Sequence, residues 1–188
     1  MAGEHKPLAT QWTWEGLTSE AIEETATWIG EPRRLGSGCE NFFHMAGKML
    51  LLARFDYFLI TPVLFYSVIG LERALRVHYK SPDQPYTSTC AGSSKPFRLL
   101  FQRVVDDELI TDELFDEIPP ISELFRLFEK DIEVPSSHSA SLALLIPELR
   151  NQYFHGYDLL LPHSFGLTIQ LRKCADILKT RGTKSLLE

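Results

Sequence analysis

Residues 41–80 constrain the fold most strongly, because their apolar side chains recur at helical spacing. Apolar residues three and four positions apart lie on one face of an α-helix. The series along this face is Phe42, Met45, Met49, Leu52 and Phe55. Pro62 falls inside the segment, and a proline in a helix interior removes a backbone hydrogen bond and clashes with the preceding turn. The sequence therefore predicts two helices, or one sharply kinked helix, with this series in the core.

The remaining pattern predicts further helices separated by loops. The helix candidates are 17–29, 97–105, 111–117, 122–131, 139–161 and 164–181. Thr18 or Ser19 suits the N-cap of the first, and Gly182 suits the end of the last. Pro147 is expected to interrupt the helix at 139–161 or to begin its second half. No segment alternates polar and apolar residues between turn residues, so we expect an all-α fold, a bundle of about five to seven helices.

Length and composition bound the class of protein. The 188 residues, 44% of them hydrophobic, suffice for one domain with its own core. Three cysteines lie far apart with no Cys-x-x-Cys pair, which argues against a disulfide framework and against a zinc finger. The first residues lack the apolar region of a secretory signal. These features favour a reducing, cytoplasmic setting.

The most apolar run, residues 55–71, has two interpretations. A membrane span needs about 20 predominantly apolar residues. This run is shorter, and it contains a carboxylate, Asp56, as well as Pro62. The sequence therefore favours a buried core helix over a span, and no membrane partner is expected.

Charge is distributed unevenly along the chain. The net charge is −6, yet residues 106–133 hold eleven acidic residues against two basic ones, so the rest of the chain is positive by three. Residues 150–184 carry six basic residues against two acidic ones. This C-terminal part suits contact with phosphate while the acidic segment faces away. Alternatively, the acidic segment is simply a solvated face.

One short motif near the C-terminus carries chemistry. It is Arg150-Asn151-x-x-x-His155-x-Tyr157. On a helix, Asn151 and His155 share a face, and the long Arg150 side chain can swing toward it. Arginine stabilises charge on phosphoryl oxygens, and histidine moves protons near neutral pH. Because RNA supplies its own 2′-OH nucleophile, this chemistry needs no metal, and the sequence predicts neither a metal site nor a cofactor.

With this motif late in an all-helical chain, the sequence resembles the HEPN superfamily. Residues 70–79, GLERALRVHY, are also similar to an earlier helix of that superfamily. The resemblance covers roughly residues 41–181. It divides the chain into an N-terminal arm with a short helix (1–40), a HEPN-like helical domain (41–181) and a C-terminal tail (182–188). The arm and the acidic segment depart from the pattern, which leaves the subfamily open.

The resemblance implies an α-helical bundle that forms a homodimer and acts as a metal-independent endoribonuclease, with Arg150 and His155 as the active pair. Asn151 and Tyr157 are then substrate-positioning residues. In toxin members of the superfamily, a nucleotidyltransferase antitoxin adenylylates the tyrosine of this motif, which is Tyr157 here. Other members act in phage defence, and some have no demonstrated cleavage.

Each of these residues also has a structural interpretation. Arg150 fits an ion-paired helix face, Asn151 a local backbone cap, and Tyr157 the edge of the core. Glu72 is either an acidic partner that orients Arg150 or His155, or a solvated helix-face acid. Two other functions therefore stand beside the ribonuclease: a non-catalytic module that binds nucleotide, RNA or a partner protein, and a structural adaptor whose acidic segment docks a basic partner.

Overall fold

A computed structural model of the protein describes residues 18–31, 38–79, 96–115, 135–154 and 164–184. Its six α-helices are α1 (Ser19–Gly30), α2 (Cys39–Leu52), α3 (Ile60–His78), α4 (Phe97–Asp106), α5 (His138–Phe154) and α6 (Ser164–Lys184). Two short 3₁₀ turns lie at Tyr57–Leu59 and Asp112–Phe115. Within these ranges no strand occurs, which confirms the predicted all-α class. The predicted helix at 122–131 lies outside them.

Helix α3 is the centre of the bundle. It packs on α2 and α6 along most of its length and also contacts α4 and α5. Residues Tyr57–His78 are long and apolar enough for a membrane span, with a mean hydropathy of 1.5, but 61% of the most apolar window is buried inside the protein. Most of the apolar run at 55–71 therefore belongs to a core helix, as its composition predicted.

The break between α2 and α3 does not lie at Pro62. Helix α2 ends at Leu52, and Asp56 caps the following 3₁₀ turn by accepting from the amide of Phe58 at 3.1 Å. Pro62 then falls in the first turn of α3, where a helix has no intrahelical use for its backbone N–H. Two helices form, as predicted, but the proline stabilises the start of the second one and does not split the pair.

The predicted core stripe of α2 is wrong in its register. The side chains of Leu52 and Phe55 are 49% and 85% exposed, and the other members of the series are only partly buried. The buried face consists of Cys39, Phe43, Ala46 and Leu50. Both series have helical spacing, because α2 carries apolar residues on two faces, so periodicity alone did not decide between them.

Helix α1 is fixed at both ends. Thr18 Oγ1 accepts from the amide of Ala21 at 3.2 Å, so Thr18 is the N-cap. Near the other end, a Cβ atom on Gly47 of α2 would lie 2.5 Å from the carbonyl oxygen of Ala26 and 3.0 Å from Cα of Gly30. Only a glycine permits this close crossing of α1 and α2.

A fully buried arginine of α6 also holds the end of α1. Arg172 donates from Nη1 to the carbonyl of Ile29 at 2.8 Å and from Nη2 to that of Glu31 at 3.1 Å. Its guanidinium lies 4.9 Å from the ring centroid of Phe43, and its Nε is 3.3 Å from Asp176. Arg172 thus satisfies carbonyls at the C-terminal end of α1, where a helix lacks its own donors.

Helix α5 begins at a carboxylate from elsewhere in the chain. Asp112 accepts from the amides of His138 and Ser139 at 3.1 and 2.9 Å, and from the hydroxyls of Ser137 and Ser139. Burial alone raises the pKa of Asp112, but these hydrogen bonds outweigh it and lower the pKa to about 2. The ionised carboxylate therefore caps α5.

The two C-terminal helices are less interrupted than their sequences predict. Helix α5 continues through Pro147 without a break. Helix α6 continues past Gly182 to Lys184, so the prediction that Gly182 closes it is wrong. In both cases the helix includes a residue whose local preference is against a helix interior.

Candidate functional site

The structure describes three of the five predicted site residues. Arg150 and Asn151 lie near the C-terminal end of α5, and Glu72 lies in the C-terminal half of α3. His155 and Tyr157 lie outside the described residues. The site is therefore built here from the end of α5 and the helices that face it.

Glu72 is a buried carboxylate shared by two arginines. The residue is 8% exposed. Its Oε1 accepts from Arg76 Nη2 at 2.6 Å and from Arg76 Nε at 3.2 Å, while its Oε2 accepts from Arg150 Nε at 3.3 Å. The interpretation of Glu72 as a solvated acid is wrong, because α5 covers this part of α3. Of the two partners considered for Glu72, Arg150 and His155, the structure shows a contact with Arg150.

Arg150 is held, yet it stays accessible. Its side chain is 24% exposed, against 4% for that of Arg76. Its Nη1 also donates to Oδ1 of the neighbouring Asn151 at 3.3 Å. A guanidinium bound through Nε by a buried acid has a fixed plane, which is the condition for two-pronged binding of an anion.

The buried cluster also has an energetic reason to stay together. Removing one member of a buried ion pair leaves a charge without compensation and costs several kcal/mol, about 3–5. Arg76 sits at position i+4 from Glu72, the spacing at which side chains meet on a helix. Arg76 was missed as a site residue, although this spacing was a readable signal.

A small cavity opens beside Arg150 where α3, α4 and α5 meet. Its volume is about 230 Å³. Proline and phenylalanine side chains form its apolar part and arginine, asparagine and glutamate its polar part. The lining includes Glu72, Phe97, Arg98, Pro147, Arg150 and Asn151.

Pro147 and Arg98 shape this cavity from two sides. Pro147 is buried one turn before Asn151 and forms part of the apolar lining. Arg98 lies exposed in the first turn of α4. Arg98 was also missed from the sequence, since one basic residue at the start of a short helix gives no signal.

Chemically, the arrangement offers a fixed cation, an amide and an apolar wall in one small cavity. That set binds an anion such as a phosphate group and orients it. Among the described residues, no three His, Cys, Asp or Glu side chains come together as metal ligands. Cys174, buried in α6, has a pKa raised by that burial, so within the core it is a thiol.

Comparison with known proteins adds no relative. Neither the protein-family models, nor the curated proteins, nor the solved structures contain a match to this chain.

Proposed function

We propose that this protein is a metal-independent endoribonuclease of the HEPN type, which cleaves RNA through attack of its own 2′-OH. The observation that carries the proposal is the contact between Arg150 and the buried Glu72 at the edge of a cavity. Glu72 is shared with the buried Arg76, yet its second oxygen binds the partly exposed Arg150, and burying an acid in this way is costly. Such a cost is commonly met where a cation must be held in one orientation.

In this proposal Arg150 binds the phosphoryl oxygens of the scissile phosphate. The ion pair at Nε fixes the plane of the guanidinium, and its terminal nitrogens provide the fork. Glu72 acts through Arg150 and is a positioning residue. Asn151, which already accepts from Arg150 Nη1, adds a second polar group beside the phosphate.

His155, five positions after Arg150, carries the proton transfers. The 2′-oxygen forms a bond to phosphorus and loses its proton, while the bond to the 5′-oxygen breaks and that oxygen gains a proton. One group must accept and one must donate. A homodimer with two-fold symmetry supplies a second histidine, so we propose that two protomers place their motifs face to face.

The proposed setting is a toxin or phage-defence effector in the cytoplasm. Tyr157 is then the position at which a nucleotidyltransferase antitoxin modifies the protein. Adding a nucleotide two residues from His155 introduces negative charge and bulk, both of which oppose binding of an RNA phosphate.

The test is cleavage of RNA by the purified protein in EDTA. His155→Ala is expected to lower the rate by about 10²–10⁴-fold, because general acid–base catalysis contributes that much. Arg150→Lys is expected to fail as well, because a compact ammonium cannot fork onto two oxygens. The control is Arg54→Lys, at an exposed arginine that pairs with Glu23 on the surface and is expected to cut at the wild-type rate.

A second candidate function is a non-catalytic module that binds nucleotide, RNA or a partner protein. It is favoured by the same ion pair, because an arginine held by an acid also serves simple anion binding. A wild-type protein that binds RNA and cuts none of it supports this module. Equal cleavage by wild type, His155→Ala and Arg150→Lys removes the motif from the mechanism.

A further inference from the structure

The cavity between α3, α4 and α5 has a surplus of positive charge. Arg98 and Arg150 line it together with Glu72. The carboxylate of Glu72 is also bound by the buried Arg76. Among the lining residues, two guanidinium groups stand against one carboxylate, which gives the lining a net charge of +1. The apolar wall beside them lowers the local dielectric constant, which strengthens the attraction of an anion.

The two arginines of the lining are held differently. Arg150 is bound by Glu72 and Asn151. Arg98 is exposed and makes no hydrogen bond or ion pair with any residue in the described ranges. Its position in the first turn of α4 places it across the cavity from α5. Arg98 is therefore a cation available to a ligand that Arg150 already contacts.

The size of the cavity selects the class of ligand. Pockets that enclose drug-sized molecules measure roughly 300–1,000 Å³. This cavity, at about 230 Å³, is below that range. It accommodates atoms of the phosphate and sugar backbone, and it is too small to enclose a nucleobase as well.

We propose that Arg98 binds the backbone phosphate next to the scissile one, so that the α4 side of the cavity is a subsite for the RNA backbone. The identity of the ligand as RNA rests on the proposed function. The two guanidinium groups of the lining then provide one cation for each of two successive phosphates of one strand. Arg98 is a substrate-binding residue that contacts the charged backbone and does not distinguish between bases.

The test measures binding separately from cleavage. The probe is a short single-stranded RNA whose 2′-hydroxyls are methylated, since it keeps its phosphates but lacks the nucleophile. Fluorescence anisotropy at several salt concentrations gives the affinity and its salt dependence. Arg98→Ala is expected to weaken binding about tenfold, the loss of one hydrogen-bonded charge contact. The slope of log affinity against log salt is expected to fall by about 0.7, the value for one phosphate on a single strand.

Two further variants make the result specific. Arg98→Lys is expected to keep the salt slope, because an ammonium still neutralises a phosphate. The matched control is Arg103→Ala on the same helix, at an exposed arginine that lies 3.5 Å from Asp107 and stacks on Tyr79 at 4.8 Å. It lies outside the cavity lining, so its loss is expected to leave the slope unchanged. With cleavable RNA, Arg98→Ala is expected to raise KM and leave kcat unchanged.

Each outcome decides the proposal. Wild-type affinity for Arg98→Ala, an equal loss for Arg103→Ala, or no binding by wild type overturns the subsite. A wild type that cuts RNA while Arg98→Ala binds normally removes the subsite and leaves the ribonuclease standing. A selective loss in Arg98→Ala, in a protein that cuts no RNA, keeps the subsite and removes the ribonuclease.

Discussion

Two arginines on the last two helices are both tied to distant parts of the chain, but their surroundings differ. Arg172 has a fully buried side chain, donates to two backbone carbonyls and stacks on an aromatic ring. Arg150 keeps 24% of its side chain exposed, is bound by the carboxylate of Glu72 and borders a cavity. Arg172 donates to backbone carbonyls at a helix end, where no intrahelical donor is available. Arg150 is held in place while part of it still faces solvent.

The difference shows that burial alone does not identify a functional arginine. The partners of the guanidinium are more informative. Backbone carbonyls at a helix end are a structural need that any folded chain must meet. A buried acid that binds a partly exposed arginine beside a cavity meets no such structural need, since an apolar pair of similar volume is often as stable.

The largest expected effect is on the structural arginine. Arg172→Met keeps the length of the side chain but removes the donors for Ile29 and Glu31 and the charge beside Asp176. The free energy of unfolding is expected to fall by about 4 kcal/mol, as for a broken buried pair. Urea denaturation followed by circular dichroism measures this. RNA cleavage per folded molecule is expected to stay at the wild-type rate, and loss of cleavage at unchanged stability would reverse the roles of the two arginines.

An intermediate effect is expected at the acid that holds Arg150. Glu72→Gln keeps the volume and an acceptor oxygen but removes the charge between the two arginines. We expect the free energy of unfolding to fall by about 3 kcal/mol, the lower end for a broken buried pair because the amide keeps an acceptor, and RNA cleavage to fall as well. The matched control is Glu23→Gln, whose surface pair with Arg54 contributes less than about 1 kcal/mol. Full cleavage by Glu72→Gln would show that Arg150 needs no positioning.

The smallest expected effect is on stability alone, at the carboxylate that caps the start of α5. Asp112→Asn removes the ionised cap of α5, and a loss of about 1 kcal/mol is expected at neutral pH, typical of a helix cap. The pKa of Asp112 is about 2 when folded, against an ordinary 3.8. The lowered pKa means that this contribution is present above pH 3.8 and is lost as the pH falls toward 2. Urea denaturation across this range is therefore expected to show wild type and variant converging.

The rate of RNA cleavage is the control for Asp112→Asn, because this substitution lies far from Arg150. Asp112 binds the first turn of α5, and Arg150 lies twelve residues further on, about 18 Å along the helix axis. Asp112→Asn is expected to cut RNA at the wild-type rate. Glu113→Gln, at the neighbouring exposed acid, is expected to change neither stability nor cleavage.

The helices themselves were predictable from the sequence, but their buried faces were less so. Thr18 marks the start of α1 because its hydroxyl caps the first turn, which is a local property. The buried face of α2 is not local: Phe42 and Phe43 are equally apolar, and only the neighbouring helices determine that Phe43 is the buried one. The Phe43 ring packs directly against Gly70 of α3, where a Cβ atom would lie 2.8 Å from the ring. This contact places Phe43 in the core.

The candidate site was predictable only as far as its motif. Arg150 and Asn151 were found from their spacing to His155. The contact of Arg150 with Glu72 joins positions 78 residues apart, and it depends on how α5 crosses α3, which no local pattern encodes. The same holds for Arg98, which enters the site only because α4 packs on α5.

The tight crossing at Gly47 has a consequence for how the protein opens. Gly47 touches α1 at Gly30, and Arg172 binds the carbonyls of Ile29 and Glu31 on either side of it. Both of these contacts lie toward the C-terminal end of α1, between Ala26 and Glu31, whereas the other end has only the cap at Thr18. Local unfolding of such a unit begins where fastenings are fewest. The amides near Ser19 are therefore the first of α1 to exchange with solvent deuterium, and those around Ile29 exchange last.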